Sequence, residues 1–93
     1  MRKIEQMMLI GVYSKANFSL GNTTVHYNDA TNMSCIRLHG NLIATYCHDL
    51  EKVNPSLGMF RDWPTRTTAS RLRALGVDAS IRNFEATIDG VVL

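Results

Sequence analysis

Trp63-Pro64-Thr65-Arg66-Thr67-Thr68-Ala69-Ser70-Arg71-Leu72-Arg73-Ala74-Leu75-Gly76 carries a complete set of instructions for a helix over 66–75. Pro64 disfavours a helical conformation at Trp63, so the chain arrives extended. Thr65 suits the N-cap, where its hydroxyl accepts a bond from the amide of Thr67 or Thr68. Gly76 suits a left-handed C′ position, and arginines sit near the C-terminal end of the dipole. At about 100° per residue, Thr68, Ala69, Leu72 and Leu75 fall on one side. That stripe needs an apolar partner, and β-rich segments on both sides of the helix can supply it.

N-terminal to this helix, residues 23–48 read as a three-strand antiparallel meander. Thr23 to Tyr27 is β-branched and aromatic, and 28–31 is a turn. Met33 to His39 and Leu42 to His48 flank Gly40-Asn41, a two-residue hairpin connection. That turn pairs His39 with Leu42, Leu38 with Ile43 and Ile36 with Thr45. Ile36, Leu38, Ile43, Thr45 and Cys47 then share the core face. Cys35, Arg37, His39, Ala44, Tyr46 and His48 share the other, joined by Thr24 and His26.

Residues 2–15 read as a first helix with Ile4, Met7, Met8, Gly11 and Val12 turned inward. Leu9, Ile10 and Tyr13 fall on the opposite half, where a surface helix is normally polar. Either other elements cover both sides, or the second side is an interface. Residues 17–22 read as a loop. Leu50 to Asp62 is the least legible part, with Asn54-Pro55-Ser56 a turn and Leu57 to Phe60 a short strand or a loop over the core. After the 66–75 helix, Ala79 to Arg82 and Ala86 to Ile88 read as strands of a second small meander, with Asp89-Gly90 a tight turn.

The expected fold is therefore α+β: two helices on a small antiparallel sheet, in the order α-β-β-β-α-β-β. It forms one domain over residues 1–93 with Leu38, Ile43, Leu72 and Leu75 in its core. A chain this size buries roughly 60–65% of its unfolded surface, enough for one modest core. The apolar fraction of 45% and charged fraction of 19% are those of a globular protein. A net charge of +2 does not by itself argue for nucleic acid or an anionic membrane. Met7 to Val12 is too short for a signal peptide, and nothing approaches the ~20 apolar residues of a membrane span.

Reactive chemistry is hard to assemble from these residues. In the expected register His39 and His48 lie about 20 Å apart on one face, too far to share a zinc ion. Cys35 and Cys47 point to opposite faces, so no metal or disulfide joins them. No nucleophile motif, phosphate loop or spaced carboxylate pair occurs. The expectation is a non-enzyme without metal or cofactor. Two kinds of partner remain. The apolar second side of the first helix and the Tyr/Arg/His sheet face point to Leu9, Tyr13, Arg37, His39 and Tyr46 as contacts for a protein, or for a second copy of the chain. Alternatively, Arg61, Arg66, Arg71 and Arg73 bind nucleic acid. Arg66 and Arg73 are wheel neighbours, whereas Arg71 is about 160° from Arg73, so the four form no single stripe. The α-β-β-β-α order is shared with the double-stranded-RNA-binding domain, but that domain's cluster of lysines at the second helix is missing.

Leu38-His39-Gly40-Asn41-Leu42-Ile43-Ala44 and the Trp63–Gly76 stretch, with Gly21-Asn22-Thr23 and the C-terminal hairpin, resemble small tailed-bacteriophage proteins over nearly the whole chain. Those proteins end in a Tyr-Leu-Asn-Gly-like turn; Thr87-Ile88-Asp89-Gly90 replaces it here with the same turn chemistry. The resemblance implies a phage product in the infected bacterial cytoplasm and brings no catalytic residues. Small phage proteins of this size commonly bind host or anti-phage defence proteins, or nucleic acid, and the resemblance implies a partner of that kind.

Overall fold

The computed structural model describes residues 1–93. Helix α1 (Lys3–Tyr13) is followed by strands β1 (Phe18–Leu20), β2 (Thr23–Asn28), β3 (Met33–Leu38), β4 (Asn41–Cys47) and β5 (Lys52–Pro55). Helices α2 (Leu57–Asp62) and α3 (Arg66–Ala74) then lead to β6 (Ala79–Arg82), β7 (Glu85–Ile88) and β8 (Val91–Val92). Strands β1 to β5 form one antiparallel sheet in chain order, and β6 to β8 a second. The α+β class and its order of elements stand. The structure adds β1 and β5 where a loop and a turn were expected, adds β8 after the Asp89-Gly90 turn, and makes 57–62 a helix where a strand or loop was expected.

α3 starts and stops where its residues direct. The Thr65 hydroxyl accepts from the Thr68 amide at 3.1 Å. Gly76, at φ +94°, donates to the Arg73 carbonyl, and Val77 donates to that of Leu72, each at 3.0 Å. This pair of bonds is the Schellman closure. Thr68, Ala69, Leu72 and Leu75 are all buried. Replacing Thr65 by alanine is expected to lower stability by about 1 kcal/mol, read as a lower midpoint of urea unfolding. Thr65→Ser, which keeps the acceptor, should not move it.

The central hairpin departs from the expected register. Its turn is His39-Gly40, at φ +52° and +79°, and Leu38 pairs with Asn41. Ile36 then pairs with Ala44 but Arg37 with Leu42, leaving Ile43 as the extra residue of a bulge. Ile43 and Ala44 are consequently both buried. Beyond the bulge every β4 side chain changes face. Ala44 and Tyr46, expected outside, lie on the inner face with Ile36 and Ser34, while Thr45 and Cys47, expected inside, lie outside with Cys35 and Met33. Thr24 and His26 pair with Arg37 and Cys35 on that outer face, as expected. Cys35 and Cys47, expected on opposite faces, are diagonal neighbours on one face, and both are free thiols.

The core lies between the inner face of the first sheet and the helices. Met8 and Val12 of α1, Leu72 of α3 and Phe60 of α2 join Val25, Ile36, Leu38 and Ile43, and Ala79 and Ala86 continue it under the second sheet. Gly11 permits the close approach of α1 to β1, because a Cβ there would stand 3.0 Å from the Phe18 Cβ. Met7, expected inward, is 37% exposed.

Candidate functional site

The shift in register assembles a row of rings at one end of the inner face. Tyr13, on the last turn of α1, meets Tyr46 of β4 edge to face, with centroids 5.4 Å apart. Tyr46 meets His48 at 4.9 Å, and His48 meets Tyr27 of β2 at 5.4 Å, again edge to face. Edge-to-face contacts suit the ring quadrupoles and make such a row stiff. Hydrogen bonds hold it from behind. Ser34 Oγ lies 2.8 Å from His48 Nε2. The Tyr27 hydroxyl donates to Asn32 Oδ1 at 2.6 Å, and Asn32 Nδ2 donates to Asp49 Oδ1 at 2.7 Å. Lys15 Nζ sits 5.9 Å from the Tyr27 ring centroid. Burial, reinforced by the Lys15 charge, pushes the His48 pKa below its ordinary value against the opposing pull of Asp49. Burial, with Glu51 nearby, pushes the Tyr46 hydroxyl up. Both rings therefore stay neutral at neutral pH, and the row is a hydrogen-bonding aromatic surface, not a charged one.

Tyr13 also ends an exposed apolar stripe on α1. Met7, Ile10 and Tyr13 are 37%, 67% and 55% exposed, and their spacing of three places them along one side of the helix. Beside them a shallow groove of about 200 Å³ runs past Gly11 to Phe18. Of the second side of α1, Leu9 packs on the core and Tyr13 rests against Tyr46, while Ile10 is left open beside Met7.

The five expected protein contacts do not form one surface. Tyr13 and Tyr46 touch, and Leu9 packs half-buried against the core beside them. Arg37 is on the outer face of the sheet, opposite Thr24, and His39 is at the tip of the hairpin turn. The three histidines expected on one face are split among the outer face, the turn and the inner face, and no group of three His, Cys, Asp or Glu side chains can hold a metal ion.

The four arginines also separate. Arg71 is 3% exposed, its Nη1 donating to Glu5 Oε2 at 2.9 Å and its Nε to Thr23 Oγ1 at 3.1 Å. Ser70 Oγ donates to the same Glu5 oxygen at 2.6 Å. A guanidinium enclosed in this way cannot reach a phosphate. Arg61 pairs with its neighbour Asp62 at the surface. Arg66 and Arg73 remain, and Arg2 of the N-terminus joins them on the wall of one cleft. Sequence reasoning missed Glu5, Arg2 and Tyr27 as members of these clusters, while it had placed His48 on one face with Tyr46. Glu5 was detectable, since Glu5, Met8 and Val12 share a helical stripe.

No helix is long and apolar enough to cross a membrane. No curated protein and no solved structure matches the chain. Residues 1–91 match the Kyanoviridae Gp96 protein family, which agrees with the expectation of a phage origin. Because that match takes in all of both sheets except the final strand residue, the chain belongs to this family of bacteriophage proteins.

Proposed function

We propose that this phage protein is a non-catalytic accessory protein that binds a host or bacterial anti-phage defence protein in the host cytoplasm, inhibiting or triggering it. The observation that carries this reading is the uncovered stripe Met7, Ile10 and Tyr13, continued by the Tyr13–Tyr46–His48–Tyr27 row. Tyrosine rings with hydroxyl groups at their rim are favoured at interface centres because they bury large area at small entropic cost. Neither Ile10 nor Tyr13 is in the buried core, and grouped exposed apolar side chains of this kind support an interface.

The test is affinity purification of the tagged chain from infected and uninfected cells, beside an Ile10→Asp/Tyr13→Asp variant with an unchanged circular dichroism spectrum. A protein recovered with the wild type, lost with the variant and rebound by the purified wild-type chain is the expected result. Background alone in both cell types would overturn the reading. So would a wild-type dimer in light scattering that the variant converts to monomer, since the stripe would then be covered by a second copy.

A further inference from the structure

The cleft that collects Arg2, Arg66 and Arg73 has a volume of about 890 Å³ and lies between α3, the N-terminus of α1 and the β6–β7 hairpin. It is at the opposite end of α1 from Tyr13. No carboxylate lines it. The ion pairs of the chain are Arg61–Asp62 and Glu5–Arg71, so the three arginines that line the cleft have no carboxylate partner. Arg73 is partly oriented already, its Nη1 donating to the Ala79 carbonyl at 2.9 Å, which leaves other N–H donors of the fork for a ligand. Asn83 adds a neutral hydrogen-bonding group to the wall, whereas the Ser70 hydroxyl there is already given to Glu5.

The rim carries a second feature. Asn83-Phe84 is the two-residue turn between β6 and β7, with φ +51° and +65°. Such a turn favours Asn or Gly at both positions, and an L-phenylalanine gains nothing from the fold there. Its side chain packs on little within the chain: Phe84 is 93% exposed.

We infer that this cleft binds single-stranded nucleic acid, with phosphates on Arg2, Arg66 and Arg73 and a base stacked on Phe84. Arg66 and Arg73 are seven residues apart on one helix, about 10 Å at 1.5 Å per residue. That is the rise of about three stacked nucleotides at 3.4 Å each, so the two arginines meet different phosphates of one strand. A basic groove combined with an aromatic platform is the general solution for sequence-tolerant single-strand binding. A duplex offers its phosphates equally well but no free base face for Phe84. An acidic peptide satisfies the arginines and leaves the ring unused.

The test is fluorescence anisotropy with labelled oligo-dT, oligo-U and a DNA duplex, titrated over a range of salt. The wild type is expected to bind a single strand more tightly than the duplex; whether dT or U binds better identifies DNA or RNA as the source. Arg66→Gln should weaken binding and reduce the slope of log K against log salt by about 0.7. Phe84→Ala should weaken binding about five- to 150-fold per stacked base and leave that slope unchanged. Both side chains are exposed, and Arg2→Gln, at an exposed position, repeats the slope test, and Phe84→Leu the stacking test, should either variant fail to fold. Absence of wild-type binding at the lowest salt overturns the proposal. So does equal binding of duplex and single strand with no effect of Phe84→Ala, or full competition by polyglutamate at matched charge.

Discussion

Replacing Glu5 by alanine is expected to lower stability by about 3–5 kcal/mol, because it leaves the Arg71 charge buried without a partner. Domains of this size have about 5–15 kcal/mol in all, so the loss is a large share of the total and the urea midpoint should fall steeply. Arg71→Ala should do comparable damage from the other side. The pair is enclosed, at 3% and 4% side-chain exposure, and it ties α1 to α3 and, through Thr23, to β2. Every buried side-chain polar atom has a partner, so each single substitution orphans several groups at once. Glu5→Leu with Arg71→Leu removes both charges together, and its loss should fall well short of the sum of the single losses. Urea unfolding of the four proteins measures this; single losses below 1 kcal/mol would show that water reaches the pair.

The same carboxylate sets an acid limit. Burial pushes the Glu5 pKa up, but hydrogen bonds from Ser70, Arg71 and the Arg2 amide, with the Arg71 charge, hold it below the ordinary value. A carboxylate depressed in the folded state gives stability that is complete above its unfolded pKa of about 4.3. That contribution is lost as pH falls through the lower folded value. Glu5→Gln should flatten this part of the stability curve while leaving its neutral plateau lower.

How much of this was legible follows from what each signal depends on. The α3 helix was read from Thr65, Gly76 and the 68, 69, 72, 75 spacing because caps and periodicity are local. The Asp89-Gly90 turn was readable for the same reason. The β3–β4 register was not, because it rests on a bulge at Ile43 and on a histidine at φ +52°, neither of which leaves a compositional mark. One displaced residue moved Tyr46 from the expected outer face to the inner one, and only there does it meet Tyr13. The arginines were visible as a crowd, but which of them is free depends on Glu5, 66 residues away from Arg71 in the chain. Non-local partners decide which side chains are enclosed and which are free, and propensity cannot see them.

The stretch that read least well holds the side chain with the second large expected effect. Phe60→Ala should destabilise the protein by about 3–5 kcal/mol, the usual range for emptying a buried phenylalanine site. Phe60 is 1% exposed and the bulkiest of the fully buried side chains. It sits on a helix of six residues whose neighbours are β4 of the first sheet and β7 of the second. So short a helix has no stability of its own; it is held by this ring, by half-buried Met59 and by the bond from the Ser56 amide to the Ile43 carbonyl. Truncating the ring should therefore do more than open a cavity. With α2 loosened, the small β6–β8 sheet loses its packing on that helix and leans mainly on α3, and its amides should exchange faster than those of β2 and β3. A core made by one continuous cluster predicts this gradient, whereas two independently stable halves predict uniform exchange. Hydrogen exchange on Phe60→Ala separates them: unchanged protection of Ile81, Ala86 and Thr87 would show that α2 covers the core without joining the sheets.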